Sequence, residues 1–481
     1  MQFNSYIFIL VFLPALILGY YAANRMHMTL GKIYLIAFNI AFYFYAGWKL
    51  AVILGISVLL NHLFCLLLAR RRGEKAVLAA NIIANVAVLF YFKYFNFFLE
   101  TINQIMGSEY TLREIILPLG ISFFTFQQIM YVVNIYRGEI RQHCFVDYLM
   151  YILYFPKLVM GPLAEPVKMI EEFNNPALKK IDWDNIAYGL KIFSFGLFKK
   201  LIFADTFSKA VAWGYKNIEA STSMDLFFVM LFYTFEIYFD FSGYSDMAVG
   251  VSKMLNISLP MNFNSPYKAV SIRDFWKRWH MSLTGFFTKY VYIPLGGNKH
   301  GTARTYLNTM FVFLVSGIWH GANWTFILWG ILHGMLNVLD RIFEKQQKKL
   351  MEIVRWVGTF FAVNILWLLF RSDSVAQWWT LLGKIFTFQS MEISTGLLNC
   401  FVLPETSFLL KILHMDSLNS VVRGLSMLLF TMSAYMICLI PENNYKKLEN
   451  NSYVAMILSA GAFIWSFLCL SSESVFVYFN F

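Results

Sequence analysis

Apolar runs of about 20 residues recur along this chain, and a run of that length is what an α-helix needs to cross the hydrocarbon core of a bilayer. They lie near 5–24, 31–48, 50–69, 76–98, 115–135, 145–163, 185–207, 224–243, 305–320, 323–341, 352–370, 420–440 and 453–471. The chain therefore reads as an all-α, polytopic integral membrane protein of about 11–13 membrane segments, some of them re-entrant or half-crossing. Only 14% of its 481 residues are charged and 58% are hydrophobic. Soluble domains carry about one quarter charged residues, so composition agrees.

Orientation follows from the basic residues. The first run carries no positive charge before Arg25. A cleavable signal needs a basic leader, so this is a retained span with its N-terminus outside. Arg70, Arg71 and Arg72 with Lys75 mark a cytoplasmic loop, Arg137 and Arg141 mark another, and the run 341-RIFEKQQKKL-350 a third. The formal charge of +11 is accounted for by this bias and by anionic lipid, with no need of nucleic acid. Cys65, Cys144, Cys400, Cys438 and Cys469 form no CxxC pair and read as small buried hydrophobes. Neither a Pro/Gly/Ser-rich linker nor an internal repeat divides the chain, so residues 1–481 form a single membrane domain.

One segment is too polar to cross. Residues 272–290 read as an amphipathic helix in which Asp274 pairs with Arg278 and Trp276, Trp279 and His280 share a face. Pro294 and the pair Gly296-Gly297 stop it. Periodicity alone describes an interfacial helix with its lysines on lipid phosphate.

Among the histidines, His320 is the most constrained. It ends the apolar run 309-TMFVFLVSGIWH-320 and precedes Gly321. An ionisable side chain at that depth is costly and by default lines a cavity or a polar path. His333 follows 13 residues later, which on one continuous helix is about 20 Å away. The two share a site only if 321-GANW-324 breaks the helix. A metal site built from His280, His320 and His333 has no HxxxH or HExxH spacing behind it, so no metal is expected. The sequence has no GxSxG elbow, Walker loop or GxGxxG turn. An intramembrane histidine without a protein nucleophile suits direct transfer, with the imidazole as general base for an attacking hydroxyl. Two further clusters stand in apolar context. In 236-EIYFDFSGYSDMA-248, Glu236, Asp240, Ser242 and Asp246 need partners, with Arg273 or Lys277 the nearest candidates, for a salt bridge or for catalysis. In 154-YFPKLVMGPL-163, two prolines and a glycine either shape a cavity or turn the chain.

These blocks, together with 262-NFNSPY-267, 274-DFWKRWHMSL-283, 290-YVYIPLGGN-298, 316-SGIWHGANWTFILWGILHG-334 and 476-FVYFNF-481, resemble the membrane-bound O-acyltransferases. Within that family the pattern is similar to the branch that O-acetylates alginate, peptidoglycan and cellulose. The resemblance spans nearly the whole chain in order, with its core motifs at about 150–340. It implies a ring of membrane helices around a central tunnel, His320 as the catalytic histidine and His280 as its partner. It makes His333, Asn323, Trp279 and Asp240 accessory candidates. It also implies acetyl-CoA or another acyl thioester as donor substrate, with no tightly bound cofactor, reaching the tunnel from the cytoplasm of the bacterial inner membrane. Arg273, Lys277 and Arg278 would meet the donor phosphates, or else lipid headgroups. The acetyl group would pass outward to an extracytoplasmic partner with a serine-hydrolase-like domain, and finally to a cell-surface polysaccharide. D-alanyl, lipid or protein O-acyl transfer by the same fold stays open. So does a polytopic transporter or flippase using Glu236, Asp240 and His320 as an ion path, although transporters often carry an internal repeat and none is visible.

Overall fold

The apolar runs fold as helices, and no strand occurs among the described residues. A computed structural model describes residues 1–70, 73–140, 144–402, 411–412, 419–440, 452–470 and 476. Arg71, Arg72, Arg141, His143, His414 and the C-terminal block apart from Phe476 lie outside the described residues. In chain order the main helices are α1 (Phe8–Met26), α2 (Met28–Phe44), α3 (Trp48–Arg70), α4 (Lys75–Met106), α5 (Ile121–Tyr136), α6 (Phe145–Leu153), α7 (Trp183–Phe198), α8 (Asp205–Lys216) and α9 (Ser223–Met254). They continue with α10 (Ile272–Arg278), α11 (Met281–Phe287), α12 (Gly301–His320), α13 (Trp324–Ile342), α14 (Glu352–Arg371), α15 (Val375–Phe386), α16 (Asn419–Leu439) and α17 (Tyr453–Leu468).

Six helices among the described residues, α1, α3, α4, α9, α14 and α16, are long and apolar enough to cross a membrane. Several of the other runs are interrupted. The run at 115–135 becomes helical only at Ile121, after Pro118. That at 145–163 stops at Leu153 and restarts as the single turn Phe155–Leu158, with Pro156 in its first turn, where a missing N–H leaves no bond unmade. That at 185–207 passes through a π turn at Lys199–Ala204. Such broken elements are tolerated in a bilayer only where protein covers them, and Leu153 to Leu163 are buried throughout.

Helix α9, at 32 residues, is the buried axis of the molecule. It packs against α7 through a reciprocal glycine contact: a Cβ on Gly196 would lie 2.7 Å from the Gly243 carbonyl oxygen, and one on Gly243 2.8 Å from that of Gly196. Without a hydrophobic driving force between helices in lipid, this close backbone approach supplies the packing energy. It also delivers the lysines of the π turn to the acidic residues of α9. Lys199 Nζ donates to Asp246 at 2.6 Å, and Lys200 Nζ to Asp240 at 2.8 Å and to Asp205 at 2.8 Å. The expected partners, Arg273 and Lys277, are therefore replaced by Lys199 and Lys200. Sequence proximity favoured the former; the helix crossing favours the latter. Phe476 meets Tyr244 edge to face at 5.1 Å and lies 4.5 Å from the Lys200 ammonium, on the same ion-pair layer.

A second polar layer ties α3, α4 and α5 together. Asn61 Nδ2 donates to Gln128 Oε1 at 3.0 Å and to Asn85 Oδ1 at 3.1 Å, and Asn81 and Asn85 both donate to Asn61 Oδ1 at 2.8 Å. In lipid, interhelical bonds of this kind contribute about 0.6–2 kcal/mol each.

Candidate active site

The segment 272–290, read from periodicity as one amphipathic helix, is two short helices with a break between them. Helix α10 ends at Arg278, Trp279 is extended, and His280 adopts φ 45°, ψ 51° before α11 begins at Met281. A non-glycine residue in this left-handed region costs about 1–3 kcal/mol and needs surroundings that enforce it. Asn262 provides them. Its carbonyl accepts the Met281 amide at 2.9 Å and its Oδ1 accepts the Ser282 hydroxyl at 2.6 Å, while its Nδ2 donates to Ser245 Oγ on α9 at 3.2 Å. Ser282 Oγ in turn accepts the Leu163 amide at 3.0 Å. Four sequence blocks thus meet behind one histidine. The result is a His280 side chain that is 1% exposed, faces the Phe241 ring at 4.7 Å and, among the described residues, has no hydrogen-bond partner at either ring nitrogen.

His320 is the last residue of α12. The segment after it does break the helix. Gly321 is extended, and Asn323 starts α13 by accepting the Thr325 amide on its Oδ1 at 3.0 Å, while its Nδ2 donates to the Asp373 carbonyl at 2.8 Å. Helices α12 and α13 then run back on each other through Gly317 and Gly330; a Cβ on either would lie 3.0 Å from the other's Cα. Residues that one continuous helix would separate become neighbours around Trp329, whose ring lies 5.1 Å from that of His320 and 4.7 Å from that of His333. Trp319 at 4.9 Å and Phe370 at 5.3 Å complete an aromatic box around His320. The Trp319 ring also reaches His280, at 6.4 Å, and the electrostatic neighbours of His320 are His280, Lys93 and His333.

Lys93 was not anticipated from the sequence. It sits in a π turn of α4 at Phe90–Tyr94, and its ammonium donates to the carbonyls of Trp319 at 2.7 Å and His320 at 3.0 Å. The adjacent Tyr94 hydroxyl donates to the Ile318 carbonyl at 2.8 Å. A helix end leaves its last carbonyls unsatisfied and carries negative partial charge, so a part-buried cation is the complementary cap. The readable signal was a lysine inside an apolar run. Replacing Lys93 with Met should lower the thermal unfolding temperature of the detergent-solubilised protein, the lost bonds being worth about 1–3 kcal/mol each, whereas Lys93→Arg should retain most of the stability.

The accessory candidates separate. Trp276 Nε1 donates to His333 Nδ1 at 3.2 Å, which fixes the imidazole of a fully buried His333. Trp279 is 1% exposed and packs on Trp367 at 4.9 Å and Phe275 at 5.6 Å, so it is an inner wall. Asn323 is the α13 cap described above, and Asp240 is engaged by Lys200. The basic trio also divides. Arg278 is held by Asp274 at 2.9 Å, the pair expected from spacing. Arg273 reaches Glu344 at 3.0 Å; hydrogen bonds from Lys348 and from Arg273 hold the Glu344 carboxyl below the usual carboxylate range.

Three cavities surround the histidines. One of about 400 Å³ lies along α12 on the Gly301 side of His320, floored by Trp276, Phe313 and Ser316, with Arg273, Lys277 and Arg341 in its wall. Arg341 was not anticipated in this role, and Arg278 does not line the cavity. A second, of about 220 Å³, is lined by His320 itself with Lys93, Gly120 and Ser122, and extends to Ala46 and Leu50 at the start of α3. A third, of about 640 Å³, shares Lys93 and Leu117 with the second and extends past Gly321 and Asn323 to Glu236 and Arg371. The first and second lie toward opposite ends of α12. Of the three, the second is the one lined by a histidine, His320.

The pattern of the MBOAT, membrane-bound O-acyltransferase family, matches residues 33–374. The chain is 34% identical to the peptidoglycan O-acetyltransferase of Helicobacter pylori, in an alignment covering 100% of this chain and 97% of that one. It is 35% identical to the probable alginate O-acetylase AlgI of Pseudomonas aeruginosa, over 82% of this chain and 76% of that one. A teichoic acid D-alanyltransferase of Bacillus subtilis is 29% identical over 48% of this chain and 60% of its own length.

Proposed function

Because the chain belongs to the membrane-bound O-acyltransferase family, we propose that it moves an acetyl group from a thioester at the cytoplasmic face of the bacterial inner membrane to a hydroxyl acceptor serving a cell-surface glycopolymer outside it. The O-acyltransferase activity and the multi-pass membrane character come with the family and the helices. One observation supports the cross-membrane reading: the buried His320 lines one cavity, and a separate cationic cavity lies along the Gly301 side of the same helix, α12.

The sides follow from charge. Arg341 ends α13 beside Lys345, Lys348 and Lys349, and basic residues collect on the cytoplasmic side. The cationic cavity is then the donor side, where Arg273, Lys277 and Arg341 meet the phosphates of acetyl-CoA. Arg70 at the far end of α3 supports a cytoplasmic position for that end, with Ala46, Leu50, the second cavity and the N-terminus on the outer side. His320 takes the proton of the acceptor hydroxyl as its oxygen attacks the acyl carbon. The C–S bond breaks, and the imidazolium returns the proton to the departing thiolate, leaving an ester and a thiol. His280, close by on the broken helix, supports that charge change, and the aromatic box keeps water out. The acceptor is a glycan hydroxyl or a partner with a serine-hydrolase-like domain that hands the acetyl group on; the relatives named for peptidoglycan and alginate support the glycopolymer class.

Purified protein given labelled acetyl-CoA should release thiol and transfer label, and a D-alanyl thioester should not compete. Thiol release from the D-alanyl donor alone would replace this reading with D-alanylation. Replacing Lys277 and Arg341 with Ala should raise the KM for acetyl-CoA about tenfold each, with kcat little changed, since a charge-assisted bond to phosphate is worth about 1.5–3 kcal/mol. Initial rates over a range of salt check this, the wild-type KM rising more steeply with salt than that of either variant.

A further inference from the structure

We propose that a further cavity, where the end of α1 meets residues 176–183, binds a phosphate group, that of an anionic phospholipid headgroup at the membrane surface. This cavity shares no lining residue with the three around the histidines, and the proposal stands apart from the acyl-transfer reading. Its volume of about 660 Å³ falls within the ~300–1,000 Å³ of small-molecule sites. Three cations line it and no carboxylate does, among the described residues. Arg25 stands in the last turn of α1, Lys179 ends the 3-10 turn Pro176–Lys179, and Lys180 follows.

Lys179 is the fixed part of the site. It is 8% exposed, and its ammonium donates to the Tyr20 hydroxyl at 3.2 Å and the Glu172 carbonyl at 3.0 Å. An ammonium has three donors, so one is left for the cavity. The nearby carboxylates are engaged elsewhere. Glu172 accepts the Ser258 amide at 2.7 Å, Asp147 accepts Lys32 at 2.7 Å, and Asp182 caps α7 on the Asn185 amide at 3.0 Å. Burial, then Lys32, pushes the Lys179 ammonium down to about 8 against the opposing pull of Glu172. Arg25 and Lys180 make no ion pair among the described residues. Cations gathered round one space without a counter-ion call for an anion with several oxygens, which a phosphate supplies.

The surroundings select a lipid. Helix α1 is long and apolar enough to cross a membrane, so Arg25 stands where it leaves the hydrocarbon. Trp183, also in the lining, is 73% exposed, an amphipathic ring of the kind that collects at headgroup level. Leu18 and Leu190 are exposed too, each at i±7 from Arg25 or Trp183 and hence on the same face of its helix. They give acyl chains an apolar surface about two turns below the cationic cavity. The same cations would repel the ammonium of a zwitterionic headgroup, which favours an anionic lipid.

The test titrates the delipidated full chain in detergent with dioleoylphosphatidylglycerol, dioleoylphosphatidylcholine or inorganic phosphate. Bound lipid is counted by native mass spectrometry, and unfolding temperatures are recorded in parallel. The tightest phosphatidylglycerol adduct should form at least tenfold more tightly than any with phosphatidylcholine, and should raise the unfolding temperature. Arg25→Gln/Lys180→Gln, which alters two exposed side chains, should abolish that preference while the lipid-free protein unfolds close to wild type. Lys179→Gln should weaken the adduct at least tenfold. Equal binding of the two lipids overturns the proposal, as does a phosphatidylglycerol preference that survives Arg25→Gln/Lys180→Gln. Stabilisation by inorganic phosphate, lost in that double variant and without any lipid preference, would give the cavity to a soluble phosphate compound and overturn the lipid assignment.

Discussion

His320→Ala is expected to reduce acetyl transfer by about 10²–10⁴-fold, the range attributed to a positioned general base, with the amount of protein in the membrane unchanged. The two halves of that expectation have separate causes. The ring is enclosed by Trp319, Trp329 and Phe370, so removing it leaves a small cavity but no charge without a partner. The backbone it belongs to is held independently by Lys93 and by the Gly317–Gly330 contact. Loss of folded protein should therefore be modest while chemistry is lost. Initial rates with labelled acetyl-CoA, normalised to detergent-extracted protein, decide it. Transfer within threefold of wild type would remove His320 from the reaction. His280→Ala should fall between His320→Ala and wild type.

The largest stability effect is expected in the ion-pair layer. Asp246→Leu leaves Lys199 buried beside an apolar side chain, a change that costs about 3–5 kcal/mol when one partner of a buried pair is removed. Lys199→Met should cost a similar amount. The double variant Lys199→Met/Asp246→Leu should recover most of the loss, because an apolar pair of similar volume replaces two desolvated charges. Denaturation midpoints of the four proteins in one detergent measure the coupling. Additive losses in the double variant would show that the two side chains act independently. The same series separates this fold from a transporter's ion path: a path needs the charges, whereas a structural layer tolerates their joint removal.

Much of this site was legible in the sequence, for identifiable reasons. His320 was legible because an ionisable residue at the end of an apolar run is expensive in lipid, and the break after it because GAN interrupts an apolar pattern. The Asp274–Arg278 pair followed from spacing. The partners of Asp240 and Asp246 did not, since they come from a helix 40 to 47 residues away whose approach depends on glycine-to-glycine packing. Lys93 was hidden for the same reason: it stands 227 residues along the chain from the His320 carbonyl it caps.

Segment 272–290 shows most directly where local reasoning ends. Periodicity describes a continuous surface helix because it counts side chains and ignores the backbone. Asn262, reaching across from another block to hold the Met281 amide and the Ser282 hydroxyl, stabilises the left-handed turn that sends His280 inward. The sequence by itself determined the class: helices in a membrane, orientation signals, a costly histidine and the motif blocks of a family. Tertiary structure decided which histidines meet, which lysine balances which carboxylate, and where the cavities lie. Hydrophobic length and charge cost are properties of a segment alone, whereas a site is made where segments cross.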